Sequence, residues 1–260
     1  MLTFIIPVRH QDSVEDWSRV HDLMSETVRS IAAQSSPDWK AIVVANEGAI
    51  LPDLPQGFTV VRVDLAHRRL PSAEVDLEAM YNAVRDDKGA RIWAGIEVAG
   101  NDGHIMVTDY DDLVSRRLAE FVAQHPEAAG WYIDRGYKYD GSAFLQRCPH
   151  FSKVCGTSLI VRADLLRPPT DAGVTPDFIR YSIGSHLFLR TELAQRGTPL
   201  QPLPFAGALY RVGHAQSSVS SRSVRGQLTL QAAITSPRRT FRVTRRLRRL
   251  TPQLRDEFFG

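Results

Sequence analysis

The sequence predicts an α/β fold, an open and mostly parallel sheet flanked by helices, and three stretches carry the prediction. Thr3-Phe4-Ile5-Ile6-Pro7-Val8 is apolar without a polar interruption, the pattern of a central strand buried on both faces. Val14, Trp17, Val20, Leu23, Met24, Val28, Ile31 and Ala32 then recur at helical spacing, with Trp17 fitting a loop equally well. Lys40-Ala41-Ile42-Val43-Val44-Ala45 follows as a second buried run. Strand, helix and strand in that order imply a parallel pair joined by a right-handed crossover.

Length and composition agree. A chain of 260 residues with 43% hydrophobic content can bury a full core, and one large α/β domain is expected. No run approaches the roughly 18 apolar residues of a membrane span, and the first residues lack the basic start of a signal peptide, so the expected compartment is the cytoplasm. Cys148 and Cys155 have no accompanying CxxC pair, which points to two reduced, buried thiols rather than to zinc or a disulfide framework. The net charge of +3 conceals an asymmetry: residues 236–260 hold eight Arg against Asp256 and Glu257, a local +6, which leaves residues 1–235 at −3.

Taken in order, Pro7 ends the first strand, and Asp12 with Glu15 offers a helix start. Pro37-Asp38-Trp39 breaks that helix, and the second strand stops at Asn46-Glu47-Gly48. Two prolines make 51–56 a loop before a short strand at 58–63, and 64–72 is expected to be exposed. Helical periodicity covers 73–85, pauses at Asp86-Asp87-Lys88-Gly89 and resumes over 90–99. A strand beginning at Ile105 is followed by a helix over 113–124. Further strands are expected at 131–133 and 157–161, with the aromatic and basic stretch Arg135-Gly136-Tyr137-Lys138-Tyr139 between them. A helix over 178–196 closes at Gly197, and 206–212 offers a last edge strand.

Chemistry concentrates at Ile105-Met106-Val107-Thr108-Asp109-Tyr110-Asp111-Asp112, where an apolar run ends in three carboxylates. Carboxylates so close repel one another, and a hard cation such as Mg2+ or Mn2+ would relieve that and carry phosphates. Alternatively, Asp111 or Asp112 caps the helix expected from 113.

The order of landmarks resembles that of family 2 glycosyltransferases of the GT-A fold. The resemblance lies in the Pro7-Val8 strand end, in Glu26-Thr27-Val28-Arg29-Ser30-Ile31-Ala32-Ala33-Gln34-Ser35, and in the second strand after Pro37-Asp38-Trp39. Asp109-Tyr110-Asp111-Asp112 resembles the family's DxD element, and Cys155-Gly156-Thr157-Ser158, Leu193-Ala194-Gln195-Arg196-Gly197 and Tyr210-Arg211-Val212-Gly213-His214 resemble later landmarks. Residues 1 to about 220 are covered. The resemblance implies a Rossmann-like nucleotide-sugar-binding half over 1–112, an acceptor half over 113–235, and outside them a basic tail, 236–260.

It also implies roles. Pro7, Val8, Arg9, Asn46, Glu47, Lys88, Asp109 and Tyr110 would line the nucleotide-sugar site at the carboxyl ends of the strands, where ligands of open α/β sheets bind. Asp109, Asp111 and His214 would meet Mn2+ or Mg2+. The family's Asp after the second strand is replaced here by Asn46-Glu47, and its Arg-Asn before the DxD by Ile92-Trp93, so Lys88 or Arg91 would supply those contacts. The late acidic pair that provides the family's catalytic base is replaced by Ser185-His186, which makes His186 the candidate general base, with an ordinary pKa near 6.5, and Asp177 and Asp134 its rivals. A histidine packed on a helix face would look the same in sequence. Arg9 and Arg211 are phosphate candidates; Trp131, Tyr132, Tyr137 and Tyr139 would pack or stack on a sugar.

The expected function is metal-dependent, inverting transfer of a sugar, with UDP the expected nucleotide, from a nucleotide diphosphate sugar to a saccharide or glycolipid acceptor in surface polysaccharide synthesis. The alternative is a non-catalytic nucleotide-sugar-binding protein. A nucleotidyltransferase would need a Gly-rich loop after the first strand, where Val8-Arg9-His10-Gln11-Asp12 has none. Arginines interleaved with apolar residues over 238–250 suit an anionic membrane surface, placing the protein peripherally at the inner face, or pair with the acidic body. No nucleic-acid recognition module accompanies that charge.

Overall fold

The computed structural model describes residues 1–66, 76–169, 173–213 and 244–260. Strands β1 (Leu2–Pro7), β2 (Trp39–Asn46), β3 (Phe58–Val63) and β4 (His104–Val107) are parallel neighbours in the order β4-β1-β2-β3. Helix α1 (Trp17–Ala32) connects β1 to β2, and α2 (Leu77–Ala99) lies between β3 and β4. All six residues of β1 are buried, as their uninterrupted apolar pattern requires. Beyond β4 the sheet turns mixed: β9 (Leu159–Arg162) runs antiparallel to β4 and to β6 (Gly130–Tyr132), and β10 (Gln201–Pro202) completes seven strands among the described residues.

A second sheet has the order β12-β8-β7-β11-β5, built from β5 (Leu113–Val114), β7 (Arg135–Tyr139), β8 (Phe144–Pro149), β11 (Ala208–Arg211) and β12 (Leu247–Arg249). The acidic turn after β4 joins the two sheets, because β5 begins at Leu113.

Several expectations are corrected. The helix expected over 113–124 is shorter, α3 (Leu118–Ala123), since residues 113–114 pair with β11. The stretch 135–139 is the first strand of a hairpin with β8, and 208–211 lies inside the second sheet rather than at its edge. No pause divides α2 at residues 86–89. Gly89 instead permits close crossing: an added Cβ would stand 2.4 Å from the Ile179 carbonyl oxygen. The late helix is broken, with a π-helical turn over Phe178–Ile183 and then α4 (His186–Gln195). Gly184 marks the break, where a Cβ would meet the Arg85 carbonyl oxygen at 2.3 Å.

The basic tail is described in part. Residues 236–243 lie outside the described residues, but 244–260 are built into the body. Strand β12 pairs antiparallel with β8, and α5 (Pro252–Phe258) is capped by Thr251, whose hydroxyl accepts from Leu254 N at 3.3 Å. Phe258 is 1% exposed and packs edge-on to Tyr137, while Arg116 and Arg117 pair with Asp256 and Glu257. Both cysteines are free and buried, as expected.

Candidate active site

The register of β1 with β2 and β4 aligns their carboxyl ends, so Val8-Arg9, Asn46-Glu47 and Asp109 share one rim of the sheet. Pro7 and Val8 are buried there as its floor. Tyr110 is buried with the Arg9 guanidinium 6.0 Å above its ring, and burial pushes its hydroxyl pKa up.

A polar ledge along α1 and just past its end holds the acidic turn. Thr27 Oγ1 lies 2.8 Å from the carbonyl oxygens of both Tyr110 and Asp112, within donating reach of each. Ser30 Oγ accepts from Val114 N at 2.9 Å, and the Gln34 side chain donates to Ser115 O and accepts from Ala119 N, each at 2.9 Å. Arg211 pins the turn from the other side, with Nε donating to Asp111 O at 3.1 Å and Nη2 to Glu26 Oε2 at 2.6 Å. Its guanidinium is therefore a support for the turn.

The three carboxylates divide their roles. Asp112 is wholly buried and turned into the core, where it accepts from Arg211 N at 3.2 Å and from the Cys155 thiol at 3.1 Å. Burial, reinforced by the negative charges of Asp111 and Asp109, raises its pKa well above the ordinary carboxylate value. It is neither a helix cap nor directed to solvent. Burial first, and then Asp112, likewise raise Cys155 and keep it a thiol.

Asp109 and Asp111 stay at the rim. Lys88, reaching from α2, donates to Asp109 Oδ1, and the two side chains are 26% and 28% exposed. Burial works against the Lys88 charge, but the Asp109 carboxylate and the hydrogen bond to it outweigh burial and raise the pKa. Gly156 makes room for the pair, since a Cβ there would lie 2.9 Å from both Asp109 Oδ2 and Lys88 Nζ. Thr157 Oγ1 accepts from Asp109 N at 2.9 Å.

His186, the first residue of α4, lines one pocket with Lys88 and Gly156. Ile105, Val107 and Leu159 are among the pocket's aliphatic walls, and its volume is about 40 Å³. His186 Nε2 is buried without a hydrogen-bond partner among the described residues. Burial, then the positive charge of Lys88, lower the pKa to about 4. That corrects the value near 6.5 expected of an unperturbed histidine: the imidazole is neutral throughout the physiological range.

Other candidates are placed differently. Asn46 commits both ends of its amide, accepting from Arg91 Nη1 at 2.6 Å and donating to Leu65 O at 2.7 Å. Arg91 is 1% exposed and bound to Asp87 as well, so Lys88 is the cation of α2 that reaches the rim. The Glu47 side chain is exposed, with its carbonyl accepting from Gln11. Asp177 is 79% exposed, 4.0 Å from Arg180, and lines a separate depression with Thr175 and Glu192. Asp134 lies 3.3 Å from His150 Nδ1. His214 lies outside the described residues.

The described residues thus offer a cation two rim carboxylates, Asp109 and Asp111, and among them no group of three His, Cys, Asp or Glu side chains is placed to hold a metal. Two carboxylates suit a hard cation that completes its shell with water and substrate phosphates.

Sequence reasoning missed the α1 ledge and the supports around His186. The ledge had a signal, as Thr27, Ser30 and Gln34 are polar residues at helical spacing among buried apolar ones. Ser152 and Arg190 had none, because a turn and a broken helix bring them together.

A mixed sheet of this order, with an acidic turn at the end of its inner parallel strand, defines a GT-A-type glycosyltransferase fold. Among solved structures, Staphylococcus aureus TarS is similar with a TM-score of 0.50 and 13% identity, over 81% of this chain and 36% of that one, so the chain spans about a third of its length. Rv0371c from Mycobacterium tuberculosis H37Rv superposes with a TM-score of 0.37 and 9% identity, over 82% and 89% of the two chains. No family model and no curated protein matches the sequence. The likeness to TarS shows the fold, and no helix among the described residues is long and apolar enough to cross a membrane.

Proposed function

We propose that the protein is a glycosyltransferase that moves a sugar from a nucleotide diphosphate sugar, with UDP the expected nucleotide, to a saccharide or glycolipid acceptor, as in surface polysaccharide synthesis. The observation that carries this reading is His186: a neutral imidazole whose Nε2 has no partner among the described residues, in one pocket with the Lys88 that binds Asp109. A neutral imidazole with an uncommitted ring nitrogen is what a general base requires.

The chain's residues then divide the work. The rim at Val8-Arg9 and Glu47 borders the nucleotide, and Lys88, released in part from Asp109, meets the diphosphate. Asp109 and Asp111 would hold Mn2+ or Mg2+, which supplies Lewis-acid stabilisation of the departing diphosphate when bound. His186 Nε2 takes the acceptor hydroxyl's proton as its oxygen attacks the anomeric carbon from the face opposite the diphosphate, which inverts configuration.

The test is a panel of nucleotide diphosphate sugars with Mn2+, each with and without saccharide acceptors, read as released nucleoside diphosphate. Acceptor-stimulated release supports transfer. Tight donor binding with no release under any acceptor would instead make the protein a nucleotide-sugar-binding module.

A further inference from the structure

Helix α2 is buried toward one end only. Its buried residues, Gly89, Arg91, Ile92, Gly95 and Ile96, all lie in the C-terminal half, whereas no residue of Leu77–Lys88 is buried. That stretch is about three turns and roughly 18 Å long. Propensity contributes little over so short a run, and such turns ordinarily depend on packing of an apolar face. At 3.6 residues per turn Leu77, Glu78, Tyr81 and Arg85 fall within about 100° of one another, on one face. Leu77, Glu78 and Tyr81 are all exposed.

The patch continues onto the broken helix beside it. Arg85 lies between the rings of Tyr81 and Phe188, at 5.7 and 5.2 Å, and Tyr181 meets Phe188 edge to face at 5.5 Å. Leu77, Tyr81, Tyr181 and Phe188 are each between 37% and 51% exposed. None of them lines the His186 pocket, and Phe188, two residues beyond His186 on α4, points about 160° away from it. Tyr, Phe and Arg are the residues enriched where one protein surface meets another.

The charges on this face complement themselves. Arg85 donates to Asn82 Oδ1 at 3.0 Å and has no carboxylate partner among the described residues, unlike Arg180, which makes two hydrogen bonds to Asp86 at 2.7 and 2.8 Å. Glu78 likewise has no partner among the described residues. Seven positions separate the two charges. A two-fold axis crossing α2 between Tyr81 and Asn82 would therefore bring Glu78 of each copy against Arg85 of the other, with the exposed rings and Leu77 closing over the same surface of the partner.

We propose that this face of α2, with Tyr181 and Phe188, pairs with its own copy in a two-fold dimer whose register is set by the two Glu78–Arg85 contacts. The dimer does not depend on glycosyl transfer, and the interface leaves the His186 pocket open.

The experiment is sedimentation velocity of the intact protein over a concentration series. The parent should pass from monomer to dimer and to no larger species. Glu78→Arg and Arg85→Glu, each melting like the parent, should each weaken self-association about tenfold or more, because each sets like charges face to face twice. An equimolar mixture of the two variants should associate as tightly as the parent, since every facing pair is again of opposite charge, and so should the Glu78→Arg/Arg85→Glu double variant. A parent that stays monomeric overturns the proposal in favour of a segment of the same chain or another partner on this face. Growth beyond a dimer overturns it as well, since a two-fold contact closes at two copies. A dimer that both reversals leave unchanged, or a weakening that neither the mixture nor the double variant restores, shows that these charges do not face each other and overturns it too.

Discussion

Replacing His186 by Asn should make the fold less sensitive to acid. In the folded chain burial and the Lys88 charge hold the imidazole's pKa at about 4, against 6.5 in an exposed state. Unfolding therefore takes up a proton at any pH between those values, so stability present above pH 6.5 is lost as pH falls toward 4. The whole interval corresponds to about 3 kcal/mol, of which about 2 kcal/mol is lost between pH 7 and pH 4.5. His104 also has a burial-lowered pKa, so both proteins weaken in acid, and the difference between them isolates His186. Urea unfolding at the two pH values measures it. The parent should lose about 2 kcal/mol more than His186→Asn. Equal losses would show that His186 is solvated and ordinary, and the pocket's electrostatics would have to be redrawn.

Four further outcomes follow from the geometry. Asp111→Ala should abolish Mn2+-dependent nucleotide binding while leaving the melting temperature unchanged, because relieving carboxylate repulsion costs the apo protein little; calorimetry with and without Mn2+ checks it, and unchanged Mn2+-dependent affinity contradicts it. Gly156→Ala inserts a Cβ 2.9 Å from Asp109 Oδ2 and Lys88 Nζ, so it should weaken donor binding tenfold or more without loss of fold, as equilibrium titration will show. Phe258→Ala should cost about 3–5 kcal/mol in denaturant unfolding, as for other buried aromatics, and deletion of 247–260 should leave no cooperative unfolding transition; a stable truncated protein would return these residues to the status of an appendage.

The central sheet was legible because a parallel strand buried on both faces has to be apolar where it is buried, and Phe4–Pro7 of β1 and Ala41–Ala45 of β2 are. The acidic turn was legible as a place but not as a division of labour. Nothing in Asp109-Tyr110-Asp111-Asp112 says that Asp112 turns inward, because Cys155 and Arg211, which hold it there, come from remote parts of the chain. The helix expected from residue 113 failed for a similar reason, as pairing with β11 overrides local pattern. The tail left two readings open because its arginines outnumber its anchors, while burial of Leu250 and Phe258 decides where residues 244–260 lie. His186 was singled out by its register against a motif; its neutral state was not legible, since its pKa depends on burial and on Lys88.

The proposed role of His186 as the base is tested most directly by one kinetic comparison, that of His186→Ala with the parent protein on a transferred donor and acceptor. Loss of the base should lower kcat by about 10² to 10⁴ with donor affinity nearly unchanged, because proton removal matters only in the transition state. The parent's rate should stay level from neutrality down and fall only as pH approaches about 4, the pKa that burial imposes. A His186→Ala enzyme with the parent's kcat would contradict that role and make this histidine a structural one.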